Sequence, residues 1–250
     1  MSLDLIKLNR LQQVNLSTYR LHSQVFPQFK RIHKNQEIYL IASGVSAEKL
    51  VNKIDNLLCD TTNIFIGVNR SFQIGNYYFP MKYIFIQDYS GKTKEYIDDL
   101  DSYKPNFCQK FYGLTTEWIY EPERTIPESH AVKAGAYRYR TDWANIPNFE
   151  PQFTYDIASQ PLGCFGSIVF PALQFALWTY PKRIFLIGCD CTTLGYAYNK
   201  NAKNFLLPDK IIEAYEKFKK FANKYYPDIE IISVNPVGLK GIFKDIEIGE

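Results

Sequence analysis

Short apolar runs recur along the chain, separated by stretches whose apolar residues return every three or four positions. The runs EIYLIAS from Glu37, NIFIGV from Asn63, KYIFI from Lys82 and RIFLI from Arg183 are apolar on both faces. That pattern suits strands buried in a parallel sheet. A late strand is expected from Ile229 to Val234, and a further one within Phe111 to Tyr120. Between the strands lie helical stretches. Leu3 to Phe29 predicts one or two amphipathic helices on the domain edge. Ser46 to Leu58 predicts a helix with Ser46 as N-cap and Leu50, Val51, Ile54 and Leu57 as its stripe. Further helices are expected over Lys94–Tyr103, Asp209–Tyr226 and Ile168–Tyr180, the last apolar all round and therefore buried. Strands alternating with helices imply βαβ units with right-handed crossovers. The expected fold is a Rossmann-like, three-layer α/β/α domain with a mostly parallel sheet. Residues 1–36 form a helical segment packed on a domain of residues 37–250. The Pro-, Asn- and Tyr-rich stretch 121–163 reads as an irregular insertion near the site, with GAYRYR from Gly135 alternating like a strand.

Composition narrows the function. The 250 residues fit one large domain or two small ones, and 46% hydrophobic content supports a sizeable core. A net charge of +3, with dispersed Lys and Arg, argues against a nucleic-acid partner. No run approaches the roughly 18 apolar residues of a membrane span. The start, Met1-Ser2-Leu3-Asp4, lacks signal-peptide features, so a cytoplasmic location is expected. Cys59, Cys108, Cys164, Cys189 and Cys191 form no CxxC pair and read as reduced thiols. His22 and His33 are expected on the surface, and His130 is the histidine placed to reach a cleft.

In an open α/β sheet, ligands bind beyond the carboxyl ends of the strands, so residues at those tips are the informative ones. The first strand ends in Ser43-Gly44-Val45-Ser46 and opens into a helix whose free N–H groups favour an anion. The second ends in Asn69-Arg70-Ser71, where Asn69 suits a base edge or ribose hydroxyl and Arg70 a phosphate. The third ends in Gln87-Asp88-Tyr89. Gly163-Cys-Phe-Gly166-Ser167 precedes the buried helix. The strand from Arg183 ends in Gly188-Cys189-Asp190-Cys191-Thr192-Thr193, with Tyr196 and Tyr198 beyond. GxGxxG, GxxxxGK[ST] and GxSxG are absent, which disfavours dinucleotide, P-loop and serine-hydrolase chemistry. Asp99-Leu-Asp101 matches a metal-binding DxD but sits in a charged stretch that reads as a solvated helix face.

The order of these tips resembles the small bacterial sialyltransferases of glycosyltransferase family forty-two. It is similar also to the related domain of motility-accessory (Maf-type) proteins and 6-hydroxymethylpterin pyrophosphokinase-like proteins. The matching elements are Ser43-Gly44-Val45-Ser46, Asn69, Asp88, Gly166-Ser167-Ile168, Gly188-Cys189-Asp190, Gly195-Tyr196-Ala197-Tyr198 and Ser233-Val-Asn-Pro236. The resemblance implies a metal-independent transferase without a resident cofactor. Its donor would be a nucleotide-sugar, CMP-linked, and its acceptor a bacterial surface glycan or glycolipid. The nucleotide would lie on Ser43, Gly44, Ser46, Asn69, Arg70, Asp88, Gly166 and Ser167. Tyr196, Tyr198 and Asp190 would serve catalysis, the tyrosines by hydrogen-bonding the departing phosphate. The two tyrosines are expected to face opposite ways. The expected lid, Asn199 to Asp209, contains no histidine, so no base is assigned. A peripheral place at the inner membrane and a homo-oligomer stay open. Two other readings also stay open: a Mg²⁺-using pyrophosphokinase-like enzyme with Asp88 and Asp190 as ligands, and a non-catalytic nucleotide-binding homologue.

Overall fold

A computed structural model of the chain describes residues 3–51, 62–74, 77–78, 80–89, 91–103, 107–115, 125–142, 152–201 and 208–248. The central strands form because their residues are apolar on both sides. Along β1 (Glu37–Ile41), Ile38 and Leu40 point into one buried cluster, and Tyr39 and Ile41 into the other. The same alternation holds in β2 (Ile64–Val68), β5 (Tyr83–Ile86) and β9 (Arg183–Ile187). Between β2 and β5 lies a small antiparallel hairpin, β3 (Gln73–Ile74) with β4 (Tyr77–Tyr78). With β6 (Gln109–Thr115), β7 (Tyr137–Asp142), β8 (Leu162–Gly163), β10 (Glu230–Val234) and β11 (Lys244–Ile246), the main strands make one nine-stranded sheet. Its order is β11-β10-β9-β1-β2-β5-β6-β7-β8, and every pairing in it is parallel. This is the Rossmann-like α/β fold that the alternation of elements predicts.

Helices cover both faces. Helix α1 (Leu3–Val25) leads into Phe26 and Phe29, which enter the first cluster. A short helix α2 is Glu48–Val51; α3 (Gly91–Lys94) and α4 (Ile97–Ser102) follow β5, and α5 (Glu128–Ala134) precedes β7. Helix α6 (Val169–Thr179) has every residue buried, as its largely apolar sequence requires, and its two polar side chains, Gln174 and Thr179, are hydrogen-bonded. Helix α7 (Pro208–Tyr225) turns Ile211, Ala214, Tyr215 and Phe218 inward.

Several expectations change. The stretch 121–163 supplies α5, β7 and β8, so it extends the sheet as well as linking it. Ser46 is not an N-cap: Gly44 caps a 3₁₀ turn, Val45–Ala47, that runs into α2. Ile54 and Leu57 lie outside the described residues. His22 and His33 are buried rather than exposed. The Nδ1–H of His22 faces the carbonyls of Ile157 and Gln160 at 2.8 and 3.0 Å, while its Nε2 accepts the Arg140 N–H at 2.8 Å. His33 donates from Nδ1 to Gln36 Oε1 at 2.6 Å and accepts at Nε2 from the Tyr83 hydroxyl at 2.8 Å. Each is a polar rivet between elements, and burial holds each pKa down at about 4. No described helix is long and apolar enough to cross a membrane.

Candidate functional site

The strand order reverses at β1. The chain proceeds outward from β1 through β2, β5, β6, β7 and β8 on one side, and β9, β10 and β11 lie on the other. Where connections diverge to opposite faces, a crevice opens at the carboxyl ends of the two central strands. A cavity of about 730 Å³ lies there.

Its wall is made by strand tips. Ser43 and Gly44 follow β1, Asn69 follows β2, Asp88 follows β5, Gly166 and Ser167 precede α6, Asp190 follows β9, and Tyr196 and Tyr198 stand on the next loop; all nine line the cavity. The approach of the two central tips is close. Gly44 donates its N–H to Gly188 O at 2.8 Å, and a Cβ on Gly44 would lie 2.4 Å from that oxygen. Gly188 has φ +66°, and a side chain there would strike Ala42 and Ala47. Asp190 is buried and binds the first tip: its Oδ2 accepts the Ser46 N–H at 2.9 Å, and its Oδ1 accepts the Ser46 hydroxyl. Ser46 itself is not part of the lining; it is the far end of this clamp.

The tyrosine loop is strapped onto the same tip. Ala197 N–H donates to Ser43 O at 2.8 Å, and Gly44 and Tyr196 form an isolated antiparallel bridge. The rings of Tyr196 and Tyr198 stack at 5.1 Å and 3°, so the expectation that they face opposite ways is overturned. Successive residues alternate in an extended segment, and positions two apart therefore share a side. Burial raises both hydroxyl pKa values, that of Tyr198 to about 12, so both remain hydrogen-bond donors at neutral pH. Arg70 is not on the lining but lies against it, its guanidinium 5.2 Å from the Tyr198 ring centroid. Ser43 Oγ is buried without a hydrogen-bond partner among the described residues. Residues 202–207 of the expected lid lie outside the described residues.

The cavity also uses Tyr96 and Tyr215, which lie outside the strand tips, and two tip-segment residues given no role in the sequence, Gln87 and Cys164. Tyr96 is buried beside α4. Gln87 is held in place: its Nε2 donates to Thr141 Oγ1 and its Oε1 accepts the Cys164 thiol. Burial pushes the Cys189 thiol up to about 12 and the Cys191 thiol higher still, so both stay protonated and unreactive. Cys59 lies outside the described residues.

The DxD and histidine candidates lie elsewhere. Asp99 is exposed, but Asp101 is buried, which corrects the reading of a wholly solvated face. Asp101 accepts from the Tyr112 hydroxyl at 2.7 Å and from His130 Nδ1 at 2.6 Å, and His130 Nε2 faces the Tyr89 hydroxyl at 3.3 Å. His130 is therefore tied beneath the strand tip and does not line the cavity. Asp98, Asp101 and His130 bring ligand atoms within 4.8 Å of one another. Asp98 pairs with Lys133, so these groups already have protein partners.

No family model matches the chain, and no curated protein matches it. Among solved structures, it is similar to a MAf glycosyltransferase from Magnetospirillum magneticum, with a TM-score of 0.55 and 9% identity. The match covers 93% of this chain and 38% of the other, so the chain spans well under half the length of that protein. At this identity the likeness establishes a shared fold.

Proposed function

We propose that the chain is a glycosyltransferase that takes a sugar from a nucleotide donor, CMP-linked, and passes it to a bacterial surface glycan or glycolipid without a metal ion. One observation carries the reading: nine residues from the tips of five separate segments line a single cavity at the point where the strand order reverses. The fold shared with a solved glycosyltransferase supports it.

In this reading Ser43, Gly44, Asn69, Asp88, Gly166 and Ser167 hold the nucleotide. The buried hydroxyl of Ser43 supplies an unused polar group, and the absence of a side chain at Gly44 lets the tips of β1 and β9 close on each other at this end of the cavity. Tyr196 and Tyr198 donate to the phosphate oxygen on which charge grows as the glycosidic bond breaks. Donors fixed in advance lower such a barrier. Asp190, saturated by Ser46, acts by holding the first tip in register with the tyrosine loop.

Isothermal calorimetry with CMP, ATP and NAD, with and without EDTA, tests the reading. CMP is expected to bind most tightly, with EDTA making no difference. A strict Mg²⁺ requirement with a preference for ATP would replace it with the pyrophosphokinase-like alternative. Binding of CMP without turnover of any CMP-sugar, hydrolysis included, would favour the non-catalytic one.

A further inference from the structure

Building on the nucleotide reading above, we propose that Arg70 is the anion receptor of the cavity, so that the ligand must carry a phosphoryl group read by a guanidinium. Arg70 follows Asn69 in the 3₁₀ turn Asn69–Phe72 at the tip of β2. Its guanidinium carbon lies 5.2 Å from the ring centroid of Tyr198 and 5.9 Å from that of Tyr96, and both tyrosines line the cavity. Rings on its flanks hold the planar group by cation–π contact while leaving its N–H edge for a ligand.

That edge is under-used. Nη2 donates to Gln73 Oε1 at 3.3 Å, and Nε is buried without a hydrogen-bond partner among the described residues. No described carboxylate lies within ion-pair distance of Arg70, whereas Arg183 has Glu37, Lys133 has Asp98 and Lys200 has Glu48. A partly buried cation without a counter-charge is unfavourable unless an anion from outside completes it. The charged side chains among the described lining residues are Asp88 and Asp190, both acidic. An anionic ligand entering that wall meets repulsion unless a cation stands beside it, and Arg70 is the cation so placed. A guanidinium also matches phosphate in a bidentate way that the ammonium of Lys cannot reproduce.

Calorimetry on the full chain with CMP and with cytidine tests this. The wild type is expected to bind CMP at least about tenfold more tightly than cytidine. Arg70→Gln is expected to weaken CMP alone, by about ten- to a hundredfold, and so to erase the preference. Arg70→Lys, which keeps charge but loses the planar stack, should fall between, and it makes the same comparison if the glutamine variant does not fold. Raising salt from about 0.05 to about 0.5 M should weaken CMP binding in the wild type and leave Arg70→Gln unmoved. A glutamine variant that keeps both its CMP affinity and its preference over cytidine overturns the proposal while leaving the nucleotide reading intact. If the wild type binds neither compound, the nucleotide reading fails and inorganic pyrophosphate decides. A rise in melting temperature seen in the wild type and lost in the glutamine variant upholds Arg70 as an anion receptor. An equal rise in both, or none in either, rejects it.

Discussion

Replacing Gly44 with alanine is the most direct way to test whether the clamp between the two central strand tips organises the site. The backbone at Gly44 has φ −65° and ψ 156°, a conformation any residue adopts, so the substitution brings no torsional penalty. The effect is one of space. The new methyl would lie 2.4 Å from Gly188 O, 2.5 Å from Asp190 Cγ and 2.7 Å from Asp190 Oδ2. Two of these contacts can be relieved by swinging the Asp190 side chain, but that breaks its bonds to the Ser46 N–H and hydroxyl. The third is backbone, and relieving it stretches the Gly44 N–H to Gly188 O bond. Overpacking of this kind costs roughly 1–3 kcal/mol, and a charge-assisted hydrogen bond contributes about 1.5–3 kcal/mol. Because one movement relieves both clashes with Asp190, the sum is not additive, and about 2–4 kcal/mol is expected. In a chain of this size about 1 kcal/mol moves the melting point by roughly 2–4 °C, so a fall of roughly 4–16 °C follows.

Differential scanning calorimetry reads that fall, and a double-mutant cycle identifies its source. In an Asp190→Ala background only the Gly188 contact remains, so Gly44→Ala should be milder there by at least about 0.5 kcal/mol. CMP affinity should drop in Gly44→Ala, because the tyrosine loop is strapped to the same tip through Ser43 and Tyr196. A variant that melts with the wild type, or that costs the same with and without Asp190, would refute the reasoning.

Two further outcomes are expected. Asn69 has φ +51°, so Asn69→Ala should lower the melting point through about 1 kcal/mol of left-handed strain, whereas Asn69→Gly should keep it and still lose CMP affinity; a glycine variant with native affinity would make Asn69 a turn residue only. Burial holds the His22 and His33 imidazoles neutral, with folded pKa values near 4 against about 6.5 unfolded, so below pH 6.5 the unfolded state binds more protons and stability falls with pH by up to about 1.4 kcal/mol per unit for each histidine. Their imidazole NMR signals should therefore hold the neutral position at about pH 5.5, and a midpoint near 6.5 for either would reject the assignment.

The four central strands were legible because a parallel strand buried on both faces reads as an unbroken apolar run. The same logic fails at the margins. Strands β8 and β11 have two and three residues, too few for any period to register, and β7 is Tyr-Arg-Tyr-Arg-Thr-Asp, whose polar half masks its place in the main sheet. The burial of His22 and His33 is not legible, because a histidine in a polar stretch gives no sign that carbonyls, an amide and a hydroxyl 50 to 138 positions away will enclose it. Ser46 resembles a cap for a related reason. A serine at the head of a helix looks the same in sequence whether its hydroxyl serves the next turn or, as here, a carboxylate 144 residues on.

The cavity lining was more legible than the fold's margins because a parallel sheet delivers every strand to the same edge. Tip residues can be picked one strand at a time without knowing the order in which strands pair. What the tips do not reveal is conformation. Asn69, Gly166, Gly188 and Cys191 all line the cavity and all have positive φ, which for Asn69 and Cys191 is an unfavourable backbone state. Such states persist only where surrounding contacts over-determine them. Here the surroundings supply that: Val68 N–H is held by the buried Ser71 hydroxyl on one side of Asn69, and Gly238 N–H is held by Asp190 O beside Cys191. The chain thus maintains an abrupt turn at each of these tips, on the lining of the cavity. Tyr96 escapes any reading of tips because it reaches the cavity from the approach to α4, where an aromatic at a helix start is indistinguishable from a core residue until its contact with Arg70 is seen.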